Sequence, residues 1–377
     1  MIDGSWFINL YSFKIRKNWI IIGLIACLSL ISAYFSHREL NIARNHSDLA
    51  ISLANPMVKP RHRAYNVAIA PKLRHSQQLQ TIIDNIVAMA RQQNLPTEKL
   101  SIILIDVNSR QVAGYQEKDL RYPASISKLF WMVSAFDLIE RKQLSNDASL
   151  KASLVKMIRD SDNDSASRIL DLITDSQSGA NLNRKELTIW LEKRHQIDRF
   201  FQNAGYDRIN LAQKTYPITY LHLGLPQGRD LQLRGSLQHP LRNQISTWHS
   251  GRLMYEIATG MAVSPQSSRQ MMALLTIDAV TRRSRIDLPN SAHFNSVLGF
   301  LSQSLPDAVD FASKAGWTSD SRQEVARIKS KNGKINYIVS VCGENRDFAD
   351  NWQFFPELSL YIFQKMNLRT LESSVEH

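Results

Sequence analysis

Two cysteines in 377 residues exclude a fold held by a disulfide framework. Cys27 lies in an apolar run near the N-terminus and Cys342 in a strand-like stretch near the other end. No Cys-x-x-Cys, His-Glu-x-x-His or other paired spacing of metal ligands occurs, and the ten histidines, among them His195, His222, His239 and His249, are scattered. No metal site and no cofactor is therefore expected. Low-complexity tracts and internal repeats are missing too. Charged residues make up 21% of the chain against 44% hydrophobic ones, which excludes a disordered polymer and points to a packed core. Negative charge is in short supply: 34 Asp and Glu against 46 Lys and Arg leave a net +12. That excess favours anionic surroundings. No nucleic-acid motif accompanies it, so the basic stretch from Lys59 to Arg74 reads as a solvated surface near a membrane, without a nucleic-acid partner.

One long hydrophobic run is present. Trp19 to Phe35 contains no charged residue, and its 17 residues reach the lower end of the range for a membrane-spanning helix. Lys14, Arg16 and Lys17 precede it, while Arg38 and Arg44 follow, a bias toward a cytoplasmic N-terminus. The expected layout is a cytoplasmic segment over 1–18, a transmembrane anchor or signal segment over 19–36, a linker over 37–75 and a catalytic domain over 76–377. Leu24-Ile25-Ala26-Cys27 also has the shape of a lipoprotein processing site, and a cleaved signal is a third reading. All three export the body, so the domain is expected to be membrane-anchored and extracytoplasmic, on the periplasmic side. Nothing in the sequence assigns an oligomeric state.

In the body, Leu79, Ile82, Ile83, Ile86, Val87 and Ala90 recur at helical spacing behind Ser76, a fitting N-cap. Leu100 to Val107 and Gln111 to Tyr115 read as strands joined by a turn. Near the other end, Val325 to Ser330 and Ile335 to Gly343 flank Lys331-Asn332-Gly333-Lys334, a strong hairpin signal. Pro356 to Met366 reads as a closing helix. Between the two β regions, about 118–305, the pattern is mostly helical. The expected fold is α/β in the α+β sense: an antiparallel sheet built from both ends of the domain, flanked by helices, with a helical subdomain inserted.

The chemistry concentrates in three short motifs. Ser125 and Lys128, in Tyr122-Pro123-Ala124-Ser125-Ile126-Ser127-Lys128, stand three residues apart before an apolar run and share one helical face. A serine hydroxyl becomes a competent nucleophile when an adjacent amine can take its proton. Burial and a second cation lower a lysine pKa toward that condition. A second Ser-x-x-Lys, Ser153 to Lys156, reads as an accident of composition on an ordinary helix. Ser161-Asp162-Asn163 and Lys314-Ala315-Gly316-Trp317 follow in order. Each is weak alone, since the first resembles a helix cap and the second an edge lysine beside a glycine; the ordered set of three is what carries the argument.

That set resembles the signature of the penicillin-recognising serine enzymes, the class A β-lactamases and DD-peptidases, whose motifs are S-x-x-K, S-D-N and K-T-G. The likeness covers roughly Ser76 to Met366 and is weakest between Ile169 and Arg242. It implies that Ser125 is acylated, that Lys128 accepts its proton, that Ser161 passes a proton to the leaving nitrogen and that Lys314 supplies a positive field. Asn163, Ala315, Gly316 and Trp317 would contact substrate, with the backbone N–H groups of Ser125 and Trp317 forming an oxyanion hole. The implied partner is a β-lactam or a peptidoglycan peptide.

The sequence departs from that pattern in its motif spacing, shorter than usual from Ser125 to Ser161 and longer from Ser161 to Lys314, and in two of its residues. Ala315 stands where the family usually has a hydroxyl. The glutamate that activates the deacylating water in class A β-lactamases has no counterpart in a Glu-x-x-Leu-Asn pattern; Glu186 and Glu192 read as the wet face of a helix, Asp198 and Asp207 lie nearer, and the best alignment puts Thr215 at that position. The leading expectation is thus an enzyme that forms an acyl-enzyme through Ser125 and releases it slowly. A genuine β-lactamase with another water-activating residue, and a catalytically reduced wall-binding protein on the same fold, are the alternatives.

Overall fold

The computed structural model describes residues 63–236, 238–287 and 294–375. The stretch 19–36 expected to be an anchor or signal segment, with Cys27, and the stretch 1–18 expected to be cytoplasmic lie outside the described residues, as does most of the expected linker. Among the described residues no helix is long and apolar enough to cross a membrane.

In chain order the elements are β1 (Arg74–His75), α1 (Gln77–Gln92), β2 (Leu100–Asp106) and β3 (Gln111–Tyr115). The helical insertion follows, with α2 (Ser127–Glu140), α3 (Ala148–Val155), α4 (Asn163–Thr174), α5 (Arg184–Arg194), α6 (Gln196–Gln202), α7 (Gly228–Arg234), α8 (Thr247–Ala258), α9 (Pro265–Leu275) and α10 (Ala279–Ile286). The chain then returns to the sheet through β4 (Val309–Thr318), β5 (Ser321–Ser330) and β6 (Asn336–Gly343), and ends in α11 (Arg346–Asp350) and α12 (Phe354–Val375). Contacts group Pro60–Leu231 and Arg242–His377 into one body. Gln232–Leu241 falls outside it, and within that stretch the Leu241 N–H donates to the Arg234 C=O at 2.9 Å.

The six strands run in the order β1-β3-β2-β6-β5-β4. Except for the short parallel β1–β3 pair, all pairings are antiparallel. β2 pairs with β6 from Leu100↔Gly343 to Asp106↔Tyr337, so strands from the two ends of the domain meet in the middle of one sheet, as the sequence predicts. Both faces of β2 are buried, which explains its unbroken apolar run. Ile103 and Ile105 face the helical insertion, where they join Leu129, Phe130, Trp131 and Leu253. Ile102 and Leu104 face the other way, against Ile83 and Ile86 of α1 and Leu358 and Ile362 of α12. Each such buried aliphatic side chain contributes about 1.5–3 kcal/mol.

Local signals land where expected. The Ser76 hydroxyl accepts from the Leu79 N–H at 3.4 Å, and Gly333, at φ 71°, makes the β5–β6 turn in the left-handed region that glycine enters without steric cost. α12 begins two residues before Pro356, which sits in its first turn.

One expectation needs correction. Residues 63–75 read from the sequence as part of a free linker, yet Tyr65 is 1% exposed and Val67 8%. The Tyr65 N–H donates to the Phe200 C=O at 3.0 Å, and β1 adds to the sheet edge beside β3. Prolines and missing periodicity describe an irregular segment equally well whether it floats or packs.

Candidate active site

Ser125 sits in a single 3₁₀ turn, Ala124–Ile126, just before α2. Ala124 takes a φ of 43°, a left-handed backbone that costs an alanine about 1–2 kcal/mol and turns the following serine out of the helix line. Ser125 is partly exposed, whereas Lys128, one turn on, is fully buried beneath it. The Lys128 Nζ lies 3.1 Å from Ser125 Oγ, 2.7 Å from Asn163 Oδ1 and 3.3 Å from Ser161 Oγ, and it also bonds the Ser161 C=O. Burial, reinforced by the charge of Lys314 and opposed by Asp162, holds its pKa well below the ordinary lysine value.

Ser161 and Asn163 come from the break between two helices. A π-turn, Lys156–Asp160, closes the α3 segment, Ser161 takes a left-handed φ of 56°, and Asp162 caps α4 by accepting from the Ser165 N–H at 2.7 Å. Burial would raise the Asp162 pKa, but the Ser165 bonds and the Lys128 charge bring it below the usual carboxylate value. The capping role of this motif and its place in the site are thus both real, because the cap residue is Asp162 while its two neighbours point at Lys128.

Lys314 reaches the same cluster from β4, with Nζ 2.9 Å from Ser161 Oγ and 2.8 Å from the Ala315 C=O. Its pKa is pushed down to about 7 by burial, with Arg285 adding to the shift and Glu324 opposing it. Glu324, on β5, pairs with Ala315 and so lies on the face of the sheet away from the Lys314 side chain, close enough for its charge to act on Lys314. It is fully buried, and burial raises it to about 7 against the pull of Ser313, the Leu301 N–H and Lys314.

β4 is an edge strand, and the Ile277 N–H donates to the Phe311 C=O from outside the sheet at 3.0 Å. The register to β5 is unbroken, so by the two-residue period the backbone groups of Ser313, Ala315 and Trp317 also face that outer edge. Gly316 touches the nucleophile's turn: a Cβ there would stand 3.0 Å from Ser125 N and 3.2 Å from both Ala124 Cβ and the Pro123 C=O. The glycine is required by that approach.

Two of the expected substrate contacts turn their backbone, not their side chain, toward the outer edge of β4. The Ala315 side chain is 2% exposed and packs with Phe311 and Ile328 on the far face of the sheet, because alternation turns it away from Lys314; only its backbone faces the site. The Trp317 indole donates to the Ala349 C=O at 3.0 Å and stands 6.4 Å from Trp352, so its backbone, not its ring, is at the cleft. Beside Lys314 opens a small cleft walled in part by Ile158, Arg159, Thr281, Arg285, Phe294 and Ser296. Arg285 Nη1 donates to Ser296 Oγ at 2.7 Å there. The second Ser-x-x-Lys is unrelated to this cluster, with Lys156 exposed on the surface.

The loop from Leu211 to Leu223 packs on the same two helices. Its Leu211 C=O accepts from Trp131 Nε1 at 3.0 Å, and its Thr219 N–H donates to Asp164 Oδ1 at 2.5 Å. The nearby carboxylates are occupied elsewhere. Asp198 is buried and accepts from the Leu211 N–H at 2.5 Å and bonds His195 at 2.6 Å. Asp171 holds Lys214 at 2.7 Å and Arg194 at 2.9 Å, Glu186 closes the capping box of α5, Glu192 pairs with Arg199 at 3.3 Å, and Asp207 is exposed. Thr215 Oγ1 is buried with no hydrogen-bond partner among the described residues.

A partly exposed serine over a buried lysine, with Ser161, Asn163 and Lys314 in the same cluster on an α+β scaffold, is the arrangement of a serine hydrolase. The comparisons agree with that class. A sequence profile of the beta-lactamase enzyme family matches residues 78–366, and the chain belongs to that family, a β-lactamase-like serine hydrolase. Among solved structures it is similar to a β-lactamase from Sphaerobacter thermophilus at 13% identity and a TM-score of 0.54, covering 76% of this chain and 98% of that one. It is also similar to PBP-A, at 15% identity and a TM-score of 0.53 over 79% of this chain and 99% of that one. A point mutant of PBP-A, matched to the same extent, was solved as an acyl-enzyme complex with penicillin G. At these identities the likeness shows the fold. No curated protein sequence matches the chain.

Proposed function

We propose that this protein is a membrane-anchored, extracytoplasmic enzyme that forms an acyl-enzyme through Ser125 on a β-lactam or a D-Ala-type cell-wall peptide amide, and releases it slowly. The observation that carries this is Lys128 Nζ, buried, 3.1 Å from Ser125 Oγ and with its pKa well below the usual value. Lowering its pKa favours the neutral amine, the form that can act as a general base.

In the first step the Ser125 proton passes to Lys128 as Oγ attacks the carbonyl carbon. The developing oxyanion is met by the N–H groups of Ser125 and Trp317, which the Gly316 contact brings close together. Ser161, within 3.3 Å of Lys128 and 2.9 Å of Lys314, hands its proton to the leaving nitrogen as the carbon–nitrogen bond breaks and takes from Lys128 the proton that came from Ser125. Lys314, charged below a pH of about 7, keeps the cleft positive for a substrate carboxylate. Arg285 adds to that field from the adjoining cleft, where Ala315 has no hydroxyl to offer. Asn163 Oδ1, at 2.7 Å from Lys128, positions the base and leaves its amide nitrogen for the substrate.

Release requires a water on the acyl carbonyl and a base to activate it. The carboxylates of the Ile169–Arg242 stretch are hydrogen-bonded or exposed, apart from Asp230, which is buried against Arg194 at 3.7 Å, so that step is slow. The anchor at residues 19–36 rests on the uncharged run from Trp19 to Phe35 and its flanking basic residues. The experiment is to incubate the protein with fluorescent penicillin and follow the label. Stoichiometric labelling that persists and is lost in Ser125→Ala is the expected result. Rapid turnover without accumulation would favour the β-lactamase alternative, and absence of any label would remove the penicillin-type substrate.

A further inference from the structure

The segment Arg63–Val67 precedes the residues matched by the family profile, which begin at 78, yet it is tied to the helix that carries the base. Tyr65 packs its ring on Phe201 at 5.3 Å and Tyr206 at 6.1 Å. Those same rings meet Phe130 at 5.2 and 6.1 Å, and Phe130 is two residues past Lys128 on α2. Arg63 Nε donates to Asp137 Oδ2 at 2.8 Å, and its Nη2 to the Ser134 C=O at 2.8 Å, further along α2. The far end is fastened too: the buried Arg252 donates to the Val67 C=O at 3.1 Å, and Asn66 bonds the Met261 C=O and the Val263 N–H, each at 2.9 Å.

We propose that Arg63–Val67 is a positioning strap for Lys128, setting the rotation and depth of α2 and hence where Nζ stands between Ser125 and Asn163. The need for it follows from α2 itself. Every residue from Ser127 to Leu138 is buried, so the helix has no wet face to fix its rotation, and apolar contact alone is non-directional. Directional contacts must do it. Asp137 is the helix's buried carboxylate, with one oxygen on Arg63 at 2.8 Å and the other on Arg141 at 2.9 Å. A buried carboxylate stripped of a partner is strongly disfavoured, which makes the Arg63 contact a constraint on rotation. A displacement of about 1 Å at a reacting group costs about a hundredfold in rate, so small shifts of α2 matter.

The inference rests on the acyl-enzyme reading, and the test separates the two. In the full chain, Tyr65→Ala is expected to lower the limiting rate of labelling by fluorescent penicillin by about tenfold or more. The half-saturating concentration stays within about twofold, and Tyr65→Phe restores the rate. Arg63→Ala, a milder break at a partly exposed side chain, gives a smaller loss of the same kind. If both alanine variants, scored on their folded fraction, label at the parental limiting rate, the strap has no positioning role. Should the parent take no label, the acyl-enzyme reading fails and amide exchange decides the strap. Residues 127–133 should then exchange faster in Tyr65→Ala than in Leu358→Ala, a truncation in the opposite core brought to the same melting temperature. Equal exchange would overturn the proposal.

Discussion

Around Ser125, the groups for acylation and the groups for deacylation differ in how completely they are assembled. On the acylating side, Lys128, Ser161, Asn163 and Lys314 arrive from three elements and meet within 3.3 Å of one another through shared contacts. The two lysines are buried beneath partly exposed hydroxyls, an arrangement that lowers amine pKa values where amines must act. The Leu211–Leu223 loop is just as well packed, fastened to α2 through Trp131 and to α4 through Asp164. Its Leu211 C=O and Thr219 N–H serve that packing, and the Thr215 hydroxyl is buried without a hydrogen-bond partner among the described residues. In the proposed mechanism, a well-packed wall without a carboxylate base is what would make an enzyme hold its acyl group rather than shed it.

The comparison can be broken most severely at the base. Lys128→Met should slow acylation by about 10²–10⁴-fold, measured as the rate of fluorescent-penicillin labelling, while the fold persists by circular dichroism. The opposite wall of the site comes next. Gly316→Ala pushes a methyl to 3.0 Å from Ser125 N, displacing one oxyanion donor, and should slow labelling by about 10²-fold with Lys128 untouched.

The pH profile sharpens the roles of the two lysines. Lys128 acts when neutral, so labelling should rise with pH through its lowered pKa. Lys314 acts when charged, so labelling should fall again above about 7. The expected curve is a bell, and Lys314→Met should lower it, remove the alkaline limb and move the acid limb to higher pH, because the Lys314 charge helps hold the Lys128 pKa down. The smallest effect is expected on the other side: Thr215→Glu should shorten the life of the label by about tenfold, because a carboxylate there can take a proton from water. Its labelling rate should stay near that of the parent.

What was legible in the sequence follows from the range of the interactions. Ser76 as a cap, the Asn332-Gly333 hairpin and the pairing of Ser125 with Lys128 are local, decided within four residues. The meeting of β2 with β6 was readable from apolar runs at both ends, since each needed a partner to bury both faces. The facing of Ala315 was not, because it depends on which side of β4 the helical insertion lies. The docking of Tyr65 was hidden for the same reason: its partners Phe200, Phe201 and Tyr206 are far along the chain. Glu324 shows the limit from the other direction. Its strand was evident, but only the sheet reveals that its charge is buried near Lys314.

The most direct measurement of the central claim is intact-protein mass spectrometry after mixing with benzylpenicillin in slight excess, quenched from seconds to hours. The account predicts a single adduct of one penicilloyl group, formed to near completion, mapped to Ser125 and decaying much more slowly than it forms. An adduct that never accumulates while penicillin is consumed, or one mapped to another residue, would contradict it.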